Sequence, residues 1–380
     1  MFDYMTLRVI WWALLGVLLV GFAIMDGFDM GVAMLHPFVA RTDLQRRVTL
    51  NTIGPVWEGN QVWFILGGGA AFAAFPMLYA VSFSGFYLAM LLLLLALILR
   101  PVAIGFRGKA ESRGWRMAWD WLFFLSGLAP ALLFGVAFGN LLLGAPFRLE
   151  PHTLRSFYEG GLIALLTPFA LLCGAVSVLM MLTQGAAYLS LKTEGDVALR
   201  ARRIGALSAL LLAILFTVAG FWVAVGIDGY MIVEGADPNG PSNPVFKTVV
   251  ADRGAWLYNY AVYKWPAIAP LVAYAGALGA AVLLVLERPR QAFVGSSVAS
   301  AGIVTTAGVS MFPFLLPSST HPNDSLTIWD ASSSQFTLGL MLVAAVFFLP
   351  IILAYTSWVF YVLRGPVTER AIERGEDYFY

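Results

Sequence analysis

Four acids and one arginine sit in stretches of sequence that are otherwise strongly apolar. Asp26 and Asp29 lie in GFAIMDGFDMG, Glu58 in PVWEGNQVW, Arg100 in ALILRP and Asp120 in AWDW. A charge at membrane depth is costly unless it is paired or wetted, so such residues mark proton or ion paths by default. Asp26 and Asp29 are three residues apart and share one helix face. Glu58 opens an apolar run beside Trp57, Asn60, Gln61 and Trp63, with no cation near it in sequence. Four acids cannot all be neutralised by one arginine, so bound water or a raised carboxyl pKa is expected. Two readings stand side by side. In one, Glu58, Asp26 and Asp29 form a proton path. In the other the group is a polar lock, with Arg100 bridging Asp29 or Asp120 and the rest snorkelling to the interface.

The elements that must position these groups are transmembrane helices. The chain has 380 residues, of which 60% are hydrophobic and 12% charged, and its mean hydropathy is +0.80. Soluble domains are about 45–50% apolar and about a quarter charged. This is an all-α polytopic membrane protein. A crossing needs about 20 mainly apolar residues, and nine such runs are expected near 9–35, 58–77, 79–100, 119–141, 162–190, 204–227, 266–286, 291–312 and 336–363. The tight PMLY link makes the second and third a hairpin. MFDYMTLR lacks the basic n-region and cleavage site of a signal peptide, so the first run is expected to be retained. The expected organisation is a four-helix bundle over 1–141, a second over 142–335 with long loops, and a ninth, peripheral helix with its tail over 336–380.

Seventeen of the 23 lysines and arginines fall on one side of this arrangement. The other six are Arg8, Arg148, Arg155, Lys247, Arg253 and Lys264. The positive-inside rule puts the N-terminus outside and the C-terminus in the cytoplasm. All five ionisable residues then fall in the cytoplasmic half of the first bundle. The long loops 228–265 and 313–335 lie outside, and Asp330 with the Ser332-to-Gln335 spacing predicts the start of the last helix.

Other chemistry is sparse. The net charge is +1 and no basic run could track a phosphate backbone, so no nucleic-acid partner is expected. The single cysteine, Cys173, lies in an apolar helix and reads as a small hydrophobe. A transmembrane cytochrome needs axial ligands on facing helices. His36 precedes Pro37 at a helix end, while His152 and His321 lie beside prolines in outer loops. No CxxCH, zinc, phosphate-loop or nucleophile motif occurs. This chain is therefore expected to ligate no haem and no metal. A proton-coupled secondary transporter is the alternative class. Transporters place broken helices at a midplane site in both halves, whereas these charges crowd one bundle.

FDYMTLRVIWWALLGVLLVGFAIMDGFDMG, PVWEGNQVWFILGGGAAFAAFPMLYA, SGFYLAMLLLL, LRPV, WDW, FGNLL, TQGAAYL and MFPFLLPSST…SLTIWDASSSQ, in that order, closely resemble subunit II of the cytochrome bd-type quinol oxidases. The resemblance spans nearly the whole chain. It implies a terminal oxidase of the prokaryotic plasma membrane that oxidises quinol, reduces oxygen to water and contributes to the proton motive force. It implies a heterodimer with subunit I, which carries two b-type haems, one d-type haem and the quinol-oxidising loop. Small single-span accessory subunits, membrane lipids and, in some members, a structural quinone complete the implied partners. Subunit II itself is implied to support assembly and a cytoplasmic proton path. The acid after Trp57 is Asp in one branch of the family and Glu58 here, and His36 matches no motif of the family.

Overall fold

In hydrocarbon every backbone N–H and C=O must be satisfied within the chain, which favours helices wherever apolar residues run on. The computed structural model describes residues 2–374, and the last six positions of the expected tail, 375–380, lie outside that range. The helices are α1 (Tyr4–Val39), α2 (Asp43–Ile53), α3 (Trp57–Ala74), α4 (Pro76–Gly85), α5 (Tyr87–Phe106), α6 (Arg113–Leu143), α7 (Pro168–Lys192), α8 (Gly195–Val225), α9 (Tyr258–Tyr263), α10 (Ile268–Val285), α11 (Pro289–Met311), α12 (Gln335–Val362) and α13 (Glu369–Glu373). Eight of them, α1, α5, α6, α7, α8, α10, α11 and α12, are long and apolar enough to cross a membrane.

The expected second crossing is α3, and it is not one of those eight. Its 18 residues open on Trp57, Glu58, Asn60 and Gln61, which dilute its apolarity. It nevertheless packs along α1. Its far end is tied by Ser333, whose Oγ donates to the carbonyl of Ala73 and whose N–H donates to that of Ala74. The third expected crossing is shifted. The stretch read as its start forms α4, which packs on hairpin residues near Tyr158 and Phe314, and the crossing helix α5 runs to Phe106. Arg100 is therefore inside a helix rather than at its end.

We call the face where α1 begins the N-face and the face where it ends the C-face. Three two-stranded antiparallel hairpins join helix ends at the N-face: β1 (Phe147–Leu149) with β2 (Ser156–Tyr158), β3 (Asp228–Glu234) with β4 (Thr248–Arg253), and β5 (Phe314–Leu316) with β6 (Leu326–Thr327). None was legible as a strand. Arg8 of α1 is buried and staples these loops: its guanidinium donates to the carbonyls of Pro238 (2.7 Å) and Gly240 (3.0 Å) and to the hydroxyls of Ser332 (2.8 Å) and Ser242 (2.9 Å). Asp330 does not start α12. It accepts from the N–H and hydroxyl of Thr327 and pairs with Lys247 at 2.9 Å. The cap is Ser334, which accepts from Thr337 N–H at 3.2 Å. Burial pulls the Lys247 ammonium below the usual lysine range against the opposing pull of Asp330.

Helix packing follows small residues. α1 packs on α3, α6 and α7, α6 on α5 and α7, α7 on α8 and α11, and α10 on α8 and α11. Lipid tails are as apolar as leucine, so close backbone approach carries much of the helix association. Gly31 of α1 meets α7 at Met181 and Gly185, and a Cβ on Gly31 would stand 2.7 Å from the Gly185 Cα. α12 is peripheral: it touches α1 and α3, but only 6% of its most apolar window is buried. A paired substitution tests the close approach. Gly31→Ala is expected to cost about 3 kcal/mol through overpacking against backbone, whereas Gly279→Ala, which meets nothing within 4 Å, gains up to about 1 kcal/mol of helix propensity. Thermal unfolding of the purified complex checks both, and equal shifts in the same direction would contradict the account.

Candidate functional site

α1 carries Asp26 and Asp29 on the face that it turns into the bundle, and both are fully buried. α3 presents Trp57, Asn60 and Trp63 on its buried side. α5 brings in Arg100, also fully buried. The Arg100 guanidinium pairs through Nη1 with Asp26 Oδ1, and Asn60 Nδ2 donates to Asp29 Oδ2 at 2.9 Å. Asp26 Oδ2, Asp29 Oδ1, Arg100 Nε and Arg100 Nη2 are buried without a hydrogen-bond partner from the protein. Such atoms are rare, and each points to strain, function or bound water. Two carboxylates therefore share one guanidinium and one amide. The set is one positive charge short of neutral.

The walls are apolar. Trp57 belongs to a core with Phe28, Val56, Ala103 and Ile104, and Trp63 presses on α1 at Gly21. Glu58 is exposed and Gln61 is half-buried. Glu58 stands in the first turn of α3, two residues from Asn60.

The five ionisable residues do not converge. Asp120 belongs to a separate cluster at the C-face, so Arg100 does not bridge Asp29 or Asp120. Asp120 accepts from His36 Nε2 (2.8 Å), Arg46 Nη1 (2.6 Å) and Arg107 Nε (2.6 Å). Asp43 closes the ring, bonding Arg107 Nη2 at 2.8 Å and pairing with Arg116 Nη1 at 3.1 Å. Sequence reasoning missed His36, Arg46 and Arg107. The signal for His36 was its position, seven residues after Asp29 and ten after Asp26, which keeps it on the same helix face. Seven residues of helix place the two clusters about 10 Å apart along α1. One is a buried acid pair and the other a compensated charge knot.

The profile of the cytochrome bd terminal oxidase subunit II family matches residues 7–363. The chain belongs to that family. It is 48% identical over 384 residues to the cytochrome bd-I ubiquinol oxidase subunit 2 of Escherichia coli K12, covering all of both chains. It is 45% identical over 380 residues to a probable cytochrome oxidase subunit 2 of Haemophilus influenzae, again covering both chains fully. The cytochrome bd ubiquinol oxidase subunit 2 of Bacillus subtilis is 32% identical over 371 residues, covering 96% of this chain and 98% of the relative. A chain in the structure of the bd oxidase from Geobacillus thermodenitrificans shares the fold, with a TM-score of 0.70 at 16% identity, covering 94% of this chain and 98% of that one.

Removing one partner of a buried ion pair strands the other and costs about 3–5 kcal/mol. Arg100→Ala is expected to lower the unfolding temperature and yield of the complex, and the Asp26→Ala/Arg100→Ala double variant to recover part of that loss. Additive losses in the double variant would show that the two side chains are not coupled.

Proposed function

We propose that this chain is the non-haem subunit of a multi-pass bacterial plasma-membrane oxidase that oxidises quinol and reduces oxygen to water, working as a heterodimer with a haem-bearing subunit I. Its family and its full-length relatives support this reading, as those named above are cytochrome oxidase subunits, two of them ubiquinol oxidase subunits. The two b-type haems and the d-type haem are assigned to subunit I. In this chain both ring nitrogens of His36 are engaged, by Thr49 and Asp120, and His152 and His321 are exposed in N-face loops. The lysine and arginine bias supports a cytoplasmic C-face. We read α1, α3, α5 and α6 as one bundle and α7, α8, α10 and α11 as a second.

The observation that carries the mechanistic part is the buried acid pair with open oxygens. Oxygen reduction consumes protons, and a haem site within the membrane needs a titratable route from the cytoplasm. Two carboxylates on one guanidinium hold one exchangeable proton between them. We read Glu58, exposed at the start of α3, as the group that takes up protons; Asn60, two residues on, donates to Asp29 and fixes its orientation. Arg100 fixes Asp26 and limits the pair to a single proton deficit. The apolar walls keep that proton from escaping sideways. A secondary transporter is not favoured: the fully buried ion pair Asp26–Arg100 lies in the first bundle, whereas the second bundle's pairs, Arg200–Asp196 and Arg202–Glu287, use exposed acids at helix ends and its interior contact Gln184–Ser296 is neutral.

Glu58→Gln keeps shape and hydrogen bonding but removes the titratable proton. It is expected to slow oxygen consumption about tenfold or more with haem content unchanged, a loss in the lower range for removing a general acid–base group. Glu58→Asp is expected to retain much of the rate. A glutamine variant that turns over like the unmodified complex would place proton entry outside this chain.

A further inference from the structure

α10 and α11 are joined by a short turn at the C-face, and glycines set the distance between them. A Cβ on Gly276 would stand 2.7 Å from the Ala299 Cα, and one on Gly302 would stand 2.6 Å from the Ala273 Cα, so the two backbones touch at those points. Gly279 does the opposite. A Cβ there meets nothing within 4 Å, and the missing side chain leaves a groove of about 520 Å³. Its walls are Gly279 and Leu283 of α10 with Val294 and Val298 of α11, and Arg290 and Gln291 in the first turn of α11 close its C-face end. Val294 and Val298 are exposed, as are Val282 and Val285 beside them. The groove therefore opens sideways into hydrocarbon.

One end of it is positive. The turn holds Glu287, Arg288 and Arg290, and its single acid is already taken: Glu287 pairs with Arg202 of α8 at 3.0 Å. Among the described residues no carboxylate pairs with Arg290, whose side chain is exposed at the mouth of the groove. α11 carries no acid in its first turn. The N–H groups of Arg290 and Gln291 are among those that a helix start leaves open, and such a start favours phosphate. A guanidinium, open amides and an apolar trench meet at one place.

That combination selects an amphiphile. A free phosphate would meet the arginine and leave the trench unfilled. The isoprenoid tail of a quinone would fill the trench and leave the arginine without a counter-charge. A phospholipid with a net negative head does both, and basic pockets between helices at a membrane face suit such heads. We infer that the α10–α11 groove binds one anionic phospholipid of the C-face leaflet, with its phosphodiester on Arg290 and the open N–H groups of α11 and one acyl chain laid along Gly279. The site uses none of the residues of the acid pair on α1 and stands or falls independently of the proton path.

Native mass spectrometry of the purified, delipidated complex tests this, with dioleoylphosphatidylglycerol as the anionic probe and dioleoylphosphatidylcholine as the zwitterionic one. The unmodified complex is expected to bind its first phosphatidylglycerol about fivefold more tightly than phosphatidylcholine, the worth of one arginine near a charged head. Arg290→Gln, at an exposed position, is expected to remove that preference and leave phosphatidylcholine binding unchanged. Gly279→Leu fills the trench and is expected to weaken the first phosphatidylglycerol by at least as much. Arg113→Gln, at an exposed arginine that starts α6 on the same face, is the control and is expected to change nothing. Equal losses in Arg290→Gln and Arg113→Gln would show attraction spread over the whole face and overturn the site. Binding unchanged by Gly279→Leu would show that no chain is seated in the groove, and a quinone or small protein released by that variant in place of a lipid would give the groove to another occupant; either result also overturns it.

Discussion

Two carboxylates three residues apart on a buried helix cannot both stay charged beside a single guanidinium without further help. Much of the first bundle serves that constraint. α5 must place Arg100 at the depth of Asp26, α3 must turn Asn60 towards Asp29, and α6 must pack closely enough on α1 to keep lipid out. The small residues along α1 permit this: Gly31 lets α7 come to backbone distance on the other flank. The polar atoms left open on Asp26, Asp29 and Arg100 are then a consequence of the arrangement. In the proposed path they are where an exchangeable proton resides.

The C-face knot works by the opposite principle. Asp120 has three donors and Asp43 two arginines, so its charges are matched locally and close to water. Matched charges of this kind are poor proton carriers and good fasteners. The molecule thus separates two uses of ionisable residues along one helix: an under-compensated pair at depth, and a compensated fastener about 10 Å closer to the surface. His36 joins the two by its place on α1. N-face loops are fastened in a similar way by Arg8, which finds carbonyls and hydroxyls rather than a carboxylate.

Much of this was legible in the sequence, and what was not has physical causes. Of the nine crossings expected from long apolar runs, eight correspond to helices long and apolar enough to cross, because hydrocarbon leaves the backbone few alternatives. Asp26, Asp29, Asn60 and Arg100 stood out because polar residues there are costly. Their pairing was not legible. It depends on the depth of α5, and the short helix α4 consumed residues that hydropathy had assigned to that crossing, moving Arg100 inward. Asp120 was grouped with them because depth alone cannot distinguish neighbouring sites on different faces. His36 was given no role because it matches no motif of the family and was read at a helix end, although Pro37 is accommodated within α1. The hairpins were hidden because strands of two or three residues, such as Leu326–Thr327, carry no readable alternation.

The central claim is that the α1 acid pair exchanges a proton as the oxidase turns over. Infrared difference spectroscopy of the complex, reduced minus oxidised, reads protonated carboxyl groups directly in their carbonyl stretch. The account predicts a carboxyl band that shifts in heavy water and is lost in Asp29→Asn, with the haem spectrum preserved. A difference spectrum without carboxyl signals, or one unchanged by Asp29→Asn, would contradict it.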